Sequence, residues 1–229
     1  EVLARKEIFL FVGFIIFLIL SGFKYSKNIS LIYVFFCFPL LILIWEPFIF
    51  FLPFAMFVIL LKNESSTFKI NLLKIFLSFS TSVFTVIFIL FNLLTPENHF
   101  LMQKSLMNNF NEICYMSCSL LASKSSISAQ FINVYNMFTF VALFRYLIIL
   151  FIGFLPLIIL LVNTKLKNKL LKNNLYKKIY YKFENLFLIF IFMLLPSLFL
   201  FASMSDWGRI VNISYVFSIL TYIYLIKNN

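Results

Sequence analysis

The sequence predicts an all-α protein: a polytopic transmembrane bundle of about seven spans, with a long outer loop that contains an amphipathic helix. Apolar residues make up 63% of the 229 residues and charged residues only 12%, whereas soluble domains have about 45–50% and about 25%. The mean hydropathy is +1.02. Long runs such as 8–23 and 83–94 contain no charge and do not alternate between apolar and polar residues, which favours helices over barrel strands.

The apolar runs predict the position of each span. These positions are 8–23, 29–45, 47–61, 75–94, 137–162, 183–202 and 210–226. The second and third spans divide the run 29–61 at Glu46-Pro47, because the whole run is too long for one crossing at about 1.5 Å per residue. Both halves are short, so a re-entrant hairpin is the alternative. Residue 1 is Glu, and we expect 1–229 to be a single membrane domain from a longer chain.

The loop after the fourth span contains a helix-start signal. Thr95 suits the N-cap, Pro96 the first helical position and Glu97 the first turn. Residues then recur at helical spacing, at Leu106, Phe110, Ile113, Cys114, Ser117 and Leu121. We therefore expect an amphipathic helix that lies on the membrane or caps the bundle.

Lysine distribution predicts the orientation. Seven Lys lie between 164 and 182, and the positive-inside rule places that loop in the cytoplasm. Alternating sides along the chain then puts the C-terminus in the cytoplasm and most acidic residues, with His99, outside. The Lys-rich loop is expected to bind anionic lipid. Because the net charge of +11 comes mainly from Lys in short loops, we interpret it as a topology signal and predict no nucleic-acid partner for the protein.

Arginine is rare in this chain, with Arg5, Arg145 and Arg209 against sixteen Lys. A guanidinium can donate two parallel hydrogen bonds to a phosphate or a carboxylate, so each Arg is a candidate for binding an anionic substrate. The alternative is that one Arg pairs structurally with an acid. A span that begins near Asn133 would place Arg145 halfway down, whereas a span from Thr139 would let Arg145 snorkel to the outer surface.

Asp206-Trp207-Gly208-Arg209 joins the last two predicted spans on the outer side. Asp206 and Arg209 can form a salt bridge across the turn. Alternatively, Asp206 serves as a base or orienting group for a sugar hydroxyl while Arg209 holds an anion such as a lipid-linked diphosphate. Trp207 is a residue type typical of the membrane interface and is predicted to contact substrate.

Three further outer residues are candidates. Glu46 is the only charge in a long apolar stretch and is either a functional carboxylate or a hairpin breaker. Glu97 and His99 are weak as a catalytic pair, because positions i and i+2 do not share a helix face, but both are predicted to contact substrate. The sequence has neither zinc-ligand spacing nor a glycine-rich phosphate loop, so no metal or cofactor is predicted.

Two short stretches carry a resemblance to a known group of proteins. Ala4-Arg5-Lys6-Glu7 and Asp206-Trp207-Gly208-Arg209 resemble bacterial inner-membrane proteins of surface-polysaccharide assembly, including O-antigen and capsule polymerase-like families. The resemblance implies a membrane glycosyltransferase that joins polyprenyl-diphosphate-linked glycan on the periplasmic side. It also implies site roles for Arg5, Asp206 and Arg209, to which polarity and predicted side add Glu46 as catalytic and Arg145 and His99 as substrate contacts.

Two other function classes stay open at this point. A transporter or flippase-like component would need polar residues deep within several spans, and these spans are nearly pure Phe, Leu and Ile. A non-catalytic membrane assembly protein is the third possibility.

Overall fold

The computed structural model describes residues 6–22, 27–62, 68–91, 96–113, 127–137, 139–164, 186–204 and 206–228. The helices in these ranges are α1 Lys6–Gly22, α2 Lys27–Ile44, α3 Leu52–Lys62, α4 Phe68–Phe91, α5 Pro96–Phe110, α6 Ile127–Met137, α7 Phe140–Asn163, α8 Phe187–Leu194, α9 Leu198–Ser203 and α10 Trp207–Asn228. Two 3-10 helices, Glu46–Phe51 and Leu195–Ser197, precede α3 and join α8 to α9. The described ranges contain no strand, which confirms the all-α class.

Three of the described helices are long and apolar enough to cross a bilayer. They are Leu73–Phe91 in α4, Leu143–Asn163 in α7 and Trp207–Asn228 in α10. The apolar helices Asn28–Ile44, Glu46–Leu61 and Phe187–Ser203 are shorter, and α1 has 17 residues, whereas about 20 residues cross a hydrocarbon core of about 30 Å. The chain therefore has helices at all seven predicted positions, and length and apolar composition make three of them candidate membrane spans, as expected of a membrane protein.

The predicted break at Glu46-Pro47 is present. α2 ends at Ile44, and Trp45 is extended, with φ −155° and ψ 104°. The ring centroids of Phe38 and Phe48 are 5.3 Å apart, although ten residues of continuous helix would separate these positions by about 15 Å. The chain therefore reverses direction around Trp45, as both predicted alternatives require.

α1 and α10 lie side by side and run in the same direction. Midway along both helices, the ring centroids of Phe14 and Phe217 are 4.4 Å apart. Near their C-terminal ends, the Tyr224 hydroxyl donates a hydrogen bond of 3.2 Å to the carbonyl oxygen of Ser21. The N-terminal ends also meet, through an ion pair described below. A pair with contacts at all three levels must be parallel.

α7 also runs parallel to α10. Contacts occur at three successive levels, between Tyr146 and Trp207, Phe154 and Tyr215, and Thr164 and Tyr222. The N-terminal turns of α1, α7 and α10 therefore lie at one end of the bundle, which we call the amino end.

Phe217 is the centre of the core. Its side chain is fully buried, and five other rings lie with centroids 4.4–6.2 Å from its own, those of Phe11, Phe14, Phe48, Phe51 and Phe54. These spacings are within the range of favourable aromatic pairs. One side chain of α10 therefore joins α1, the first 3-10 helix and α3.

Gly13 allows close contact between α1 and α2. A Cβ atom at this position would lie 2.7 Å from Cδ1 of Leu41. The Tyr33 hydroxyl also donates a hydrogen bond of 3.0 Å to the carbonyl oxygen of Gly13. Small residues commonly permit such close approach where membrane helices pack.

α5 begins at Pro96, as predicted, but ends earlier than predicted. Asn111 has φ 51°, and its N–H donates a hydrogen bond of 3.1 Å to the carbonyl oxygen of Met107. This is a left-handed C-cap, which Asn tolerates better than most residues. The prediction that the helix includes Ile113 is therefore wrong. Thr95 and the rest of the predicted repeat, from 114 onward, lie outside the described residues.

Replacing Phe217 with Ala should destabilise the fold by about 3 kcal/mol or more, because five rings lose a common packing partner. Unfolding of the purified protein in detergent would measure this effect. Phe84→Ala is the matched control, since Phe84 is 72% exposed, and should cost less than about 1 kcal/mol. Equal losses would contradict the central position of Phe217.

Candidate functional site

Three charged side chains meet at the amino end, and we call them the charged cluster. Nε of Arg209 lies 2.9 Å from Oε1 of Glu7 and 3.1 Å from Oδ2 of Asp206. Glu7 is in the first turn of α1, whereas Arg209 is in the first turn of α10. The ion pair between them therefore links the first turns of the two parallel helices.

Asp206 caps the N-terminus of α10. Its Oδ1 accepts a hydrogen bond of 3.3 Å from the backbone N–H of Arg209, the bond that an N-cap residue makes to the third helical position. The salt bridge anticipated between Asp206 and Arg209 is also present. Because the Asp206 side chain is 55% exposed, its carboxylate both orders the turn and remains open to an approaching group.

Glu7 differs from Asp206 in being buried, with a side chain only 10% exposed. A buried carboxylate needs a partner, and Arg209 supplies it. Glu7 belongs to the stretch Ala4-Arg5-Lys6-Glu7, but it was not among the site residues predicted from the sequence. An acid at the start of an apolar span was the available signal. Glu7 and Arg209 are 202 positions apart in the printed numbering, so no local pattern in the sequence indicated their pairing.

Trp207 lies between Asp206 and Arg209 in the chain and lines an apolar cavity. The indole Nε1 donates a hydrogen bond of 2.8 Å to the carbonyl oxygen of Phe201, and the ring packs edge-on against Tyr146 at 5.2 Å. Both rings line a cavity of about 800 Å³ between α6, α7, α9 and α10, which we call the first cavity. Its described lining has no charged side chain, so it suits an apolar occupant.

Arg145 lies near the same end of the bundle. α7 begins at Phe140, so Arg145 is in its second turn, about 8 Å along the helix. This position corresponds to the alternative in which the span starts near Thr139 and Arg145 snorkels outward. The side chain is exposed, and it immediately precedes Tyr146 of the first cavity. Arg145 has no ion pair among the residues that the structure describes.

Within the described residues, neither Glu46 nor Glu97 forms an ion pair with the charged cluster. Glu46 is exposed at the first position of a 3-10 helix, and Glu97 is exposed in α5. His99 lies in α5, but its side chain is outside the described part of the structure, as is Arg5 entirely. Within the described ranges, no three His, Cys, Asp or Glu residues are grouped closely enough to hold a metal ion.

The charged cluster and Trp207 together provide the groups that an amphiphilic anion would need. The Arg209 side chain is 42% exposed despite its two carboxylate partners, so a guanidinium held in place still reaches solvent. The backbone N–H groups at the start of α10 add positive potential. The carboxylate of Asp206 can accept a hydrogen bond from a hydroxyl group. The first cavity offers an apolar surface at Trp207, which lies next to Asp206 in the chain and in the same helical turn as Arg209.

A double-mutant cycle should assign the stronger coupling to the buried pair. We expect a coupling free energy of about 1–3 kcal/mol between Glu7→Gln and Arg209→Gln, because each single change leaves a partly buried charge without its partner. The cycle between Asp206→Asn and Arg209→Gln should give less than about 1 kcal/mol, since that pair is exposed and Asn preserves the cap. Unfolding in detergent provides the readout. A larger coupling for Asp206 would contradict this account.

Comparison with known proteins identifies no relative of this chain: its sequence matches no family profile and no curated protein, and its fold matches no solved structure. The chemistry of the charged cluster is therefore inferred from the cluster's own geometry.

Proposed function

We propose that the protein polymerises or transfers lipid-linked oligosaccharide during surface-polysaccharide biosynthesis, on the periplasmic face of a bacterial inner membrane. The observation that carries this proposal is that the first turn of α10 holds both Arg209 and Trp207, and that Trp207 lines the first cavity. A polyprenyl-diphosphate-linked glycan has an anionic diphosphate between an apolar chain and a polar glycan. A binding site for such a molecule therefore needs an apolar cavity, a cation and polar groups in this order.

The proposed chemistry is glycosyl transfer. The hydroxyl oxygen of the acceptor sugar attacks the anomeric carbon of the donor, and the bond from that carbon to the diphosphate oxygen breaks. The diphosphate leaves with the electron pair, and Arg209 stabilises its charge. Asp206 orients the hydroxyl and accepts its proton, while Trp207 holds the first isoprene units at the membrane interface.

The charge of the cluster implies that further cations take part. Glu7, Asp206 and Arg209 together carry one net negative charge, which would repel a diphosphate. Arg145 and the exposed Lys6 lie at the same end of the bundle, and each can offset that charge. Arg5 is proposed as an additional contact from the resemblance. Glu46, Glu97 and His99 stay predictions, since no described ion pair links Glu46 or Glu97 to the cluster and the His99 side chain lies outside the described part of the structure.

The finer membrane topology is part of the proposal. Seven spans with the amino end outside require the first, fifth and seventh spans to run in the same direction. The parallel packing of α1, α7 and α10 supports this alternation. α7 leads directly into the Lys-rich loop 164–182, so a cytoplasmic loop that binds anionic lipid places the charged cluster on the outer side.

The described core favours a lipid-handling enzyme over a transporter with a wide hydrophilic path. Apart from Glu7, its buried polar side chains are hydroxyls of Ser and Thr. A hydrophilic path through the bundle would require more polar side chains at several depths. A non-catalytic assembly role is distinguished from the proposed enzyme by the genetic test that follows.

Changing Arg209 to Ala or Lys, or Asp206 to Ala, should reduce polymer amount or length by about tenfold or more. Lys cannot reproduce the planar guanidinium, so Arg209→Lys separates bidentate binding from charge alone. The measurement is an electrophoretic analysis of surface polysaccharide from a deletion strain complemented with each full-length variant.

Lys104→Ala is the control, because Lys104 is exposed on α5 and remote in sequence from the cluster. It should leave the polymer unchanged. Protein amount must be measured for every variant. Normal polymer from both Arg209→Ala and Asp206→Ala, with the proteins present at wild-type amounts, would exclude the catalytic proposal.

Cysteine labelling should test the proposed sides of the membrane. In a background that lacks Cys37, Cys114 and Cys118, Lys6→Cys should react with a membrane-impermeant maleimide added to the periplasmic side. Lys227→Cys should react only after the membrane is opened. Both positions are exposed. Labelling of both residues from the same side would refute an odd number of crossings between them.

A further inference from the structure

A second apolar cavity continues from the first. It has a volume of about 220 Å³ and lies between α7, α8, α9 and α10. Leu150, Leu198 and Phe201 line both cavities. The two volumes are therefore neighbours that share these three side chains in their walls. A flexible apolar chain that enters beside Trp207 can continue past them.

The two cavities together are longer than one leaflet of a bilayer. Along α7 their lining residues run from Leu143 to Leu161, which corresponds to about 27 Å of helix. A helix tilt of about 20° shortens the depth only slightly. One leaflet contributes about 15 Å, half of a hydrocarbon core of about 30 Å. An occupant that fills both cavities must therefore extend beyond the midplane.

The second cavity is suited to hydrocarbon. Its lining includes buried side chains such as Leu157 and Phe190, and its only polar side chains among the described residues are Ser197, Ser214 and Ser218. Ser197 and Ser218 donate their hydroxyl hydrogens to backbone carbonyl oxygens. The buried hydroxyl of Ser214 has no hydrogen-bond partner in the described structure. One hydroxyl does not provide the several partners that an ordered water needs.

We infer that the two cavities form one site for a single long isoprenoid chain, and that the second cavity selects for the length of that chain. The inference rests on the proposed function, because Arg209 and Arg145 near the Trp207 end determine where the phosphate group lies. A short prenyl chain would occupy only the first cavity. A phospholipid would present two chains that each match one leaflet, whereas the site is narrow at its inner end and longer than a leaflet.

The test compares undecaprenyl phosphate with farnesyl phosphate, which share a head group and differ in chain length. Binding to the full chain in nanodiscs would be measured by native mass spectrometry with both ligands in competition. Both chains leave lipid for an equally apolar site, so the preference comes from packing along the added length. We expect undecaprenyl phosphate to bind about tenfold more tightly, which corresponds to about 1.4 kcal/mol.

Ile158→Phe should remove this preference, because Ile158 lines the second cavity and the larger ring would fill it. Binding of farnesyl phosphate should stay within about twofold of wild type, a difference of about 0.4 kcal/mol. Ile159→Phe is the matched control, since Ile159 is the next residue and is 51% exposed. It should keep the wild-type preference. Ser214→Leu fills the same cavity from α10 and provides a second variant if Ile158→Phe does not fold.

Four outcomes would overturn the inference. Equal binding of the two phosphates by the wild type would show that chain length is not sensed. A preserved preference in folded Ile158→Phe or Ser214→Leu would place the selectivity elsewhere. Full displacement of undecaprenyl phosphate by phosphatidylglycerol would identify a general lipid site. Failure to bind either prenyl phosphate would count against the proposed function as well as the inference. The first two outcomes, in contrast, leave the proposed function standing.

Discussion

The packing of α10 against α1 and α7 is the constraint on which the rest of the structure depends. Because both contacts are parallel, the first turns of three helices lie at the amino end. Phe217 holds the middle of this arrangement, with rings from α1, α3 and the preceding 3-10 helix around it. In a bilayer this association cannot rely on expelling water from between the helices, so ring packing and interhelical hydrogen bonds must supply it.

The charged cluster lies at the amino end because polar groups are tolerated there. Glu7 is paired with Arg209 at the first turns of their helices, where a carboxylate also interacts favourably with the helix dipole. Asp206 holds the same guanidinium and caps α10. The result is an ordered cation in the same helical turn as Trp207, which lines an apolar cavity, a combination that suits a ligand with an anionic head and a hydrocarbon chain.

The sequence predicted the helical class, the break before Pro47 and the start of α5 from local signals. Charge-free runs require helices in lipid, because backbone hydrogen bonds must be satisfied within the segment. It also indicated that Asp206 and Arg209 could meet, since they are three residues apart on one turn. The end of α5 was missed, because Asn111 adopts a left-handed conformation that residue periodicity does not report.

The sequence by itself therefore determined composition, helix positions and the short-range pair. Tertiary structure decided that Glu7 is the buried partner of Arg209, that Trp207 faces a cavity and that the two cavities adjoin. These features join residues up to 202 positions apart in the printed numbering. Pairing at that separation depends on which helix faces touch and in which direction the helices run, and apolar runs of nearly uniform Phe, Leu and Ile carry little information about either.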